Sequence, residues 1–360
     1  MTLPILLRHD MVGAPQLTNA AGSLISVLTA ALVNGFNTQS VVSATASGGV
    51  VTFNFATAPG FAALDTVQIA GSSVALANGV RRVQSAGSNQ VLVAVPGIAN
   101  GAVGGTMTLK FAPLGWTRPF TGTNLAAYRM GGGISQRFLR VADTVVGGNG
   151  LVRGYETMTA ISTGTGLFPT TAQAAGNGVI WYKNTSLTAP WIVVGDEKRF
   201  YFVSNTNSEI FVAGGGFDHI TFFGQPSNVI KPADAFNVII GDSSFPAASY
   251  INRMHTGIGT ALPVNFRGLG SLNQFGWSGT YPNPADAGVL FAQSGFAIDT
   301  DGSGALRGTL PGMLEPLASP SSEMCGSIMT GITGVVGRLL LLKNAYSYSS
   351  IGLLLDEDWV

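Results

Sequence analysis

Short β-prone runs separated by turn residues fill residues 38–113, and they constrain the fold more than any other feature of the chain. The six runs are Val41–Thr45, Val50–Phe55, Thr66–Ile69, Val80–Gln84, Gln90–Val95 and Thr106–Phe111. Short strands with turn signals about every 8–12 residues are typical of a small β-sandwich or barrel. This segment is therefore predicted to form a small β module of one of these two types.

The core of this module can be predicted from alternation along the runs. In Val51-Thr52-Phe53-Asn54-Phe55 the apolar residues take every second position, which predicts a strand with one buried face. The same pattern in the other runs gives an expected core of Phe53, Phe55, Val67, Ile69, Val91, Val93 and Leu109. Asn78-Gly79 is the dipeptide most typical of a two-residue hairpin turn, so a hairpin is predicted there.

The uncharged segment from Leu17 to Phe36 precedes the module and is predicted to be an amphipathic helix. Its leucines recur every four residues, at Leu24, Leu28 and Leu32, which predicts one buried stripe. Asn19 is placed to cap the start of the helix, and Gly35 to close it in a left-handed conformation. Several Ser, Thr and Asn residues weaken membrane insertion, so a docked helix is favoured over a membrane span.

The remainder of the chain also has a β pattern. The predicted strands and their hairpin are Trp191–Val194 and Phe200–Val203 around the charged tip Gly195–Arg199, then Glu209–Ala213, His219–Phe223 and Arg338–Lys343. The predicted fold class is mainly β, with a β-rich main domain formed by residues 1–37 and 114–360 and an inserted module at 38–113. Turn residues flank both ends of the module, so Asn37 and Ala112 are expected to lie near one another.

The low charge of the chain predicts that much of its surface is covered. Charged residues make up 10% of the 360 residues and the formal net charge is zero, whereas a typical soluble protein has about 25% charged residues. A free monomer usually keeps charge on its surface to stay soluble. We therefore expect a symmetric homo-oligomer or contacts with related neighbours.

The same composition excludes several kinds of partner and site. No basic stripe is present to replace phosphate counterions, which argues against nucleic-acid binding. Arg137, Arg140 and Arg153 are interpreted as ordinary charge on a strand face. Cys325 is the only cysteine, so there is neither a disulfide framework nor a cysteine-based metal site.

A possible nucleophile occurs in FNVIIGDSSFP at residues 236–246, where an apolar run ends in Gly241-Asp242-Ser243. Serine esterases of the GDS type place their nucleophile in such a stretch. A nucleophilic serine needs a base, normally a histidine oriented by a carboxylate. The chain offers only His9, His219 and His255, and Asn252 stands three residues before His255 where that family has an aspartate. A strand followed by a turn is therefore favoured over catalysis at Ser243.

Two acidic stretches are candidate metal sites. Asp299-Thr300-Asp301-Gly302-Ser303-Gly304 matches the start of a helix–loop–helix calcium loop, but Leu310 takes the position of the bidentate glutamate. Phe296–Ile298 has a strand pattern and not the flanking helix, so a surface turn is favoured. Asp356-Glu357-Asp358 is interpreted as solvated or paired across a subunit contact. No catalytic, cofactor-binding or metal-binding residue is predicted.

Several segments resemble one group of bacteriophage virion proteins. They are Leu7–Pro15, Asn34–Asn37, Ala112–Trp116, Gly122–Arg129, Arg137–Val141, Arg153–Glu156 and Trp191–Tyr201, with a weaker match at Gly337–Leu340. Proteins of this group are known as tail-associated or otherwise unassigned structural components of tailed phages. The resemblance implies a part of the virion and implies no catalytic residue.

The function expected from these observations is that of a non-enzymatic structural subunit of a tailed-phage particle, most consistent with the tail or baseplate. Its expected partners are copies of itself and other virion proteins, without nucleic acid, cofactor or membrane span. Two alternatives stay open: a protein that recognises host-surface glycans, and a capsid decoration protein. Exposed Trp and Tyr around a polar concavity would favour glycan recognition, whereas extensive protomer contacts would favour the structural role.

Overall fold

The structure is a computed structural model. It describes residues 3–132, 136–174, 178–183, 188–205, 219–228, 238–241, 249–251, 262–267, 291–293, 296–299, 306–316, 326–332, 334–343 and 350–359. The predicted strand Glu209–Ala213 lies outside these residues. The predicted mainly β fold, with a small β module and an N-terminal helix, is confirmed, and a half-barrel sheet is present.

The β-strands, numbered in chain order, dominate the described residues. They are β1 Ile5–Arg8, β2 Phe36–Ser40, β3 Ser43–Ser47, β4 Val50–Asn54, β5 Thr66–Ser72, β6 Gly79–Ala86, β7 Gln90–Ala94, β8 Gly101–Ala102, β9 Gly105–Phe111, β10 Thr117–Gly122, β11 Leu125–Arg129, β12 Phe138–Ala142, β13 Gly150–Tyr155, β14 Thr157–Ala160, β15 Thr163–Thr165, β16 Val179–Trp181, β17 Trp191–Gly195, β18 Arg199–Ser204, β19 His219–Gly224, β20 Ile239–Gly241, β21 Ser249–Ile251, β22 Leu262–Arg267, β23 Phe291–Gln293, β24 Phe296–Asp299, β25 Leu306–Thr309, β26 Met313–Pro316, β27 Ile328–Thr330, β28 Arg338–Lys343 and β29 Ser350–Leu354.

The predicted helix is confirmed but is shorter than the uncharged segment. An α-helix, α1, spans Ser23–Thr29 and continues as a π-helical turn over Ala30–Asn34. The three leucines of the predicted stripe are completely buried. Gly35 has the expected positive φ of 67°, but its ψ of −176° lies outside the left-handed helical region. A Cβ at this position would clash with the carbonyl oxygen of Phe111, so the site requires glycine.

The predicted N-cap at Asn19 is wrong. Gly22 occupies the N-cap position with φ 84°, and no side chain of the helix start caps it. The acceptor comes from a distant loop instead, because Oδ2 of Asp143 accepts the Leu24 N–H at 2.9 Å. Leu17, which precedes the predicted cap, forms an isolated β-bridge with Ala189. The helix therefore begins after this bridge.

An eight-stranded antiparallel sheet forms the predicted module. The strand order is β2-β9-β5-β6-β7-β4-β3-β8, and the strands lie consecutively between residues 36 and 111. All residues of the predicted core are buried. The run predicted as Val41–Thr45 corresponds to β3, which begins two residues later at Ser43 and pairs with β4, while the preceding strand β2 ends at Ser40. The other five predicted runs are confirmed as strands.

The hairpin predicted at Asn78-Gly79 is present as β5 and β6, but its connection is not a two-residue turn. The connection between β5 and β6 is longer and contains a 3-10 turn at Ala75–Ala77. The Asn78 side chain closes this connection: Oδ1 accepts the Ser72 N–H at 3.0 Å, and Nδ2 donates to the Ser72 carbonyl at 2.9 Å. Asn78 thus acts through its side chain, which backbone turn statistics do not anticipate.

A nine-stranded antiparallel sheet, the central sheet, runs in the order β1-β17-β18-β19-β20-β21-β22-β24-β25. The predicted hairpin of Trp191–Val194 and Phe200–Val203 forms its β17 and β18, and every residue of both strands is buried. One face packs into the largest apolar core through residues such as Val193 and Phe202. The other face, with Ile192 and Tyr201, packs into a second core. Burial on both faces explains the unbroken apolar runs in these strands.

Two smaller sheets complete the fold. The side sheet has the order β10-β11-β12-β13-β16, and the C-terminal sheet has the order β23-β26-β29-β28-β27. The side sheet packs toward the largest core, where Trp181 stacks on Phe202 at 5.6 Å. The C-terminal sheet contributes Leu340 and Leu353 to the second core. A hairpin of β14 and β15 lies beside the side sheet.

The two ends of the module meet in one β-ladder. Phe36 of β2 is paired with Phe111 of β9, which confirms that the chain enters and leaves the module at neighbouring points. The largest core continues from the module into the helix and the central sheet without interruption. The division into an inserted module at 38–113 and a main domain formed by 1–37 and 114–360 stays a prediction.

Candidate functional site

Ser243 lies outside the described residues, but the strand before it is described. Val238, Ile239 and Ile240 are completely buried, and β20 ends at Gly241, which confirms the predicted strand, while the predicted turn lies outside the described residues. His255 also lies outside the described residues. The distance between Ser243 and His255 therefore lies outside the described part of the structure. The absence of catalysis at Ser243 stays a prediction.

The two described histidines lie at the ends of two different strands of the central sheet. His9 follows β1, and its backbone N–H donates to the Trp191 carbonyl at 3.0 Å. Burial is the largest influence on this imidazole and lowers the pKa of His9 despite the nearby Asp10. His219 begins β19 and stacks on Tyr182 with 4.1 Å between ring centroids. The His219 side chain thus has a packing role in this structure.

The calcium-loop candidate is only partly described. Its flank Phe296–Asp299 is strand β24, so the predicted strand is confirmed, while residues 300–305 lie outside the described part. Leu310, at the position of the bidentate ligand, is buried in the second core. Cys325 likewise lies outside the described residues. Within the described part of the chain, no group of three or more His, Cys, Asp or Glu side chains could hold a metal ion.

Asp356 makes its ion pairs within the chain. Its carboxylate accepts hydrogen bonds from Arg82 at 2.5 Å and from Arg338 at 3.0 Å. Burial alone would raise the pKa of Asp356, but the hydrogen bonds and charge of Arg338, together with the charge of Arg82, lower it overall. This cluster connects the module with the C-terminal sheet.

The side sheet has two faces of different character. On the inward face, Tyr128, Leu139 and Val152 are completely buried. On the outward face, directly paired residues form three rows across the strands: Arg129, Phe138 and Tyr155; then Ala127, Arg140 and Arg153; then Leu125, Ala142, Leu151 and Ile180. Arg140 and Arg153 therefore lie on a strand face as predicted, while Arg137 precedes β12.

The chain covers one half of this outward face itself. Met158 of β14 packs with Phe138 and Tyr155 of the first row in a small satellite core, with Phe120 against it. The middle row is fixed to the same hairpin segment, because Nε of Arg140 donates to the Ile161 carbonyl at 2.9 Å. The covered half thus includes the first row and the middle row, which contains Arg140 and Arg153.

The third row is left without such a cover among the described residues. We call its four residues, together with two valines of the β12–β13 loop, the apolar strip: Leu125, Ala142, Leu151, Ile180, Val145 and Val146. Ile180 is 38% exposed, Val145 60% and Val146 72%. The loop is held in place because the Gly147 N–H donates to the Asn19 carbonyl at 2.8 Å. No member of the strip is charged, and exposed apolar surface can mark an interaction site when it forms a patch.

The tryptophans of the described residues are internal. Trp116, Trp181, Trp191 and Trp359 are all buried, and no aromatic residue is among the exposed large hydrophobic side chains of the described residues. No helix within the described ranges is long and apolar enough to cross a membrane.

Comparison with protein-family models found no match to this chain, and comparison with curated proteins found no match either. The geometry of the apolar strip is therefore the feature from which a function can be argued.

The sequence of β11 contains an indication of this strip, although its alternation pattern does not identify the strip. In Leu125-Ala126-Ala127-Tyr128 both faces of β11 are apolar, although only one face can point into the core. A strand with apolar residues on both faces needs a cover on each side. Among the described residues, Ala127 has a cover on the outward side and Leu125 has none, a difference that only the strand pairing reveals.

Proposed function

We propose that the protein is a non-enzymatic structural subunit of a tailed-phage particle, in the tail or baseplate, and that copies of the chain associate through the apolar strip. The observation that carries the proposal is an uncharged, half-open strip on a sheet whose other half the chain covers itself. The resemblance of its segments to phage virion proteins indicates the kind of particle to which such a subunit would belong.

A second copy of this chain is the occupant that fits the strip. The chain has 18 basic and 18 acidic residues, so two copies approach without net repulsion. In a two-fold contact the same patch meets itself, and an uncharged apolar patch is compatible with that arrangement. The arginines of the neighbouring row would lie at the rim, where charged side chains remain solvated.

The burial of the tryptophans supports the structural role over glycan recognition. Sugar-binding surfaces use exposed aromatic rings, and the four described tryptophans are packed in the cores. Trp277 lies outside the described residues. Glycan recognition and capsid decoration are therefore alternatives that the experiment below separates from the proposal.

The test is made on virions of the phage that encodes the chain. Density-purified particles are examined by mass spectrometry and imaging, and a matched mutant that lacks the gene is grown in parallel. A fixed copy number in wild-type tails and tail-less or defective particles in the mutant would support the proposal. A protein absent from purified virions would overturn it. Complete particles that fail to adsorb would favour host recognition, and complete, infectious but less stable heads would favour decoration.

A further inference from the structure

Two ionisable side chains, Lys183 and Asp143, are completely buried where the side sheet meets the start of α1. Asp143 follows β12 and Lys183 follows β16 by two residues. Both side chains are 0% exposed, and Nζ of Lys183 contacts Oδ1 of Asp143.

The hydrogen-bond surroundings of the pair are sparse for two ions. Nζ of Lys183 donates to one further acceptor, the Ala20 carbonyl, at 2.7 Å. Oδ2 of Asp143 accepts one hydrogen bond, from the Leu24 N–H at 2.9 Å. An ammonium group has three N–H donors, whereas the described residues offer two acceptors. A buried ion pair is favourable only if further hydrogen bonds satisfy both groups.

The same surroundings match the needs of an amide. A secondary amide has one N–H to donate and one carbonyl oxygen to accept. Here the Ala20 carbonyl is placed to accept from the nitrogen, and the Leu24 N–H is placed to donate to the remaining oxygen. We propose that Lys183 and Asp143 condense to an intramolecular amide bond between Nζ and Cγ. The bond would remove both formal charges from the interior.

The reaction balances without any additional reagent. A proton passes from the ammonium of Lys183 to Oδ1 of Asp143, which gives an amine and a carboxylic acid. The nitrogen lone pair attacks Cγ, and the Leu24 N–H stabilises the negative charge that develops on Oδ2. A second proton moves from nitrogen to Oδ1, the Cγ–Oδ1 bond breaks and one water leaves. One N–H remains on the amide and donates to Ala20.

Such a bond would join the segments that follow β12 and β16 of the side sheet, and the helix start would contact it through hydrogen bonds. The two residues are 40 positions apart, and their contacts include the backbone of Ala20 and Leu24 at the helix start. Gly150 lets the helix approach, because a Cβ there would clash with the Leu24 side chain. With Cys325 as the only cysteine, no intramolecular disulfide can supply a covalent connection of this kind.

The experiment measures the mass of the full-length wild-type chain after denaturation. The expected intact mass is lower than the sequence mass by one water. Digestion with a protease that cleaves after lysine distinguishes the cross-linked chain from the unlinked chain. The cross-linked chain resists cleavage at Lys183 and gives peptide 111–198 lacking one water, whereas an unlinked chain gives peptides 111–183 and 184–198. Trypsin is unsuitable, because its cross-linked product has the same mass as a linear peptide with missed cleavages.

Two variants at residue 143 serve as controls. Asp143→Ala removes the electrophile and is expected to show the full sequence mass and normal cleavage at Lys183. Asp143→Asn can form the same amide with release of ammonia, so its product is expected to have the wild-type cross-linked mass. A folded wild-type protein of full sequence mass, cleaved at Lys183, would overturn the proposal. A water loss that fragmentation places at other residues would overturn it too. The wild-type measurement decides even if a variant fails to fold.

Discussion

At the scale of single residues, the ion-pair cluster of Asp356 is the contact with the clearest consequences. Its carboxylate holds Arg82 of the module and Arg338 of the C-terminal sheet, and Arg82 also donates to the Leu355 carbonyl at 3.1 Å. Hydrogen bonds to charged groups contribute about 1.5–3 kcal/mol each when they are well buried. This cluster is partly exposed, which places its contribution at the lower end.

Asp356→Asn is expected to lower the free energy of unfolding by about 1–2 kcal/mol at neutral pH, because it removes the charge that both arginines face. The measurement is urea denaturation. Asp10→Asn is the matched control: Asp10 pairs with Arg8 at 2.6 Å, but the Asp10 side chain is 45% exposed. Exposed pairs contribute little, so the control should remain close to wild type. Equal losses in both variants would contradict the assigned role of Asp356.

The Asp356 contribution should also depend on pH. Its pKa is lowered from the ordinary value of 3.8, so the folded state binds this proton less tightly than the unfolded state. The stabilisation is therefore complete well above pH 3.8, and it is lost as the pH falls through the lower folded-state pKa. We expect the difference in unfolding free energy between wild type and Asp356→Asn to shrink steadily in acid. A difference that grows on acidification would contradict the direction of the shift.

Ser243 gives a second prediction at this scale. No plausible base was found for it in the sequence, so Ser243→Ala is expected to leave particle assembly and infection unchanged. Purified wild-type protein should not hydrolyse short-chain nitrophenyl esters. Ester hydrolysis that is present in wild type and lost in the variant would contradict the non-enzymatic account.

At the scale of elements, the packing of helix α1 is determined both by its local sequence and by contacts with residues that are distant in the chain. Its buried residues surround one exposed position, Ser26. The Tyr128 hydroxyl, from β11, donates to the Ile25 carbonyl at 3.0 Å and hydrogen-bonds Thr29 at 2.8 Å. Burial is the main cause that raises the pKa of Tyr128 to about 12, so this phenol stays protonated and remains a donor near neutral pH.

Leu28→Ala is expected to destabilise the protein by about 2–5 kcal/mol, because Leu28 is completely buried and its loss leaves a cavity. Ser26→Ala on the same helix is the control and should change the unfolding free energy by less than about 0.5 kcal/mol. Chemical denaturation of the two variants checks the pair. Similar effects at the two positions would mean that the helix is packed differently.

The elements that could be predicted from sequence are those whose signal is local. Alternation in Val51–Phe55 was sufficient for β4, and the buried run at Trp191 was sufficient for β17. The N-cap was missed because its acceptor, Asp143, lies 119 residues from Leu24. The start of β3 at Ser43 was missed because β2 and β3 follow different partners, β9 and β4. Pairing over such distances is not encoded in one stretch of sequence. The Lys183–Asp143 pair depends on such pairing entirely, and the apolar strip depends on it for its extent.

At the scale of the whole molecule, the eight strands of the module lie in one continuous segment and pair with each other. Replacement of residues 38–112 by a short Gly/Ser linker is therefore expected to leave the remainder able to fold, since Phe36 and Phe111 already lie side by side. Circular dichroism and cooperative unfolding of the shortened chain check this. The core runs on from the module into the helix, so a shortened chain that stays unfolded would show that the segment is integral to one domain.

The apolar strip also makes a prediction for association of the whole chain. Val146→Asp places a charge in the proposed contact, and its dissociation constant should rise at least about tenfold, or about 1.4 kcal/mol. Val42→Asp is the matched control, because Val42 is 68% exposed and Val146 is 72% exposed, but Val42 lies in the module away from the strip. Equal weakening by both substitutions would place the contact elsewhere or make it non-specific.

The most direct measurement of the central claim is the mass of the purified wild-type protein in solution, from sedimentation velocity over a range of concentrations. An assembling structural subunit should form a defined multimer, and Val146→Asp should shift it toward monomer while Val42→Asp should not. A wild-type chain that remains a soluble monomer at every concentration would contradict assembly through copies of itself.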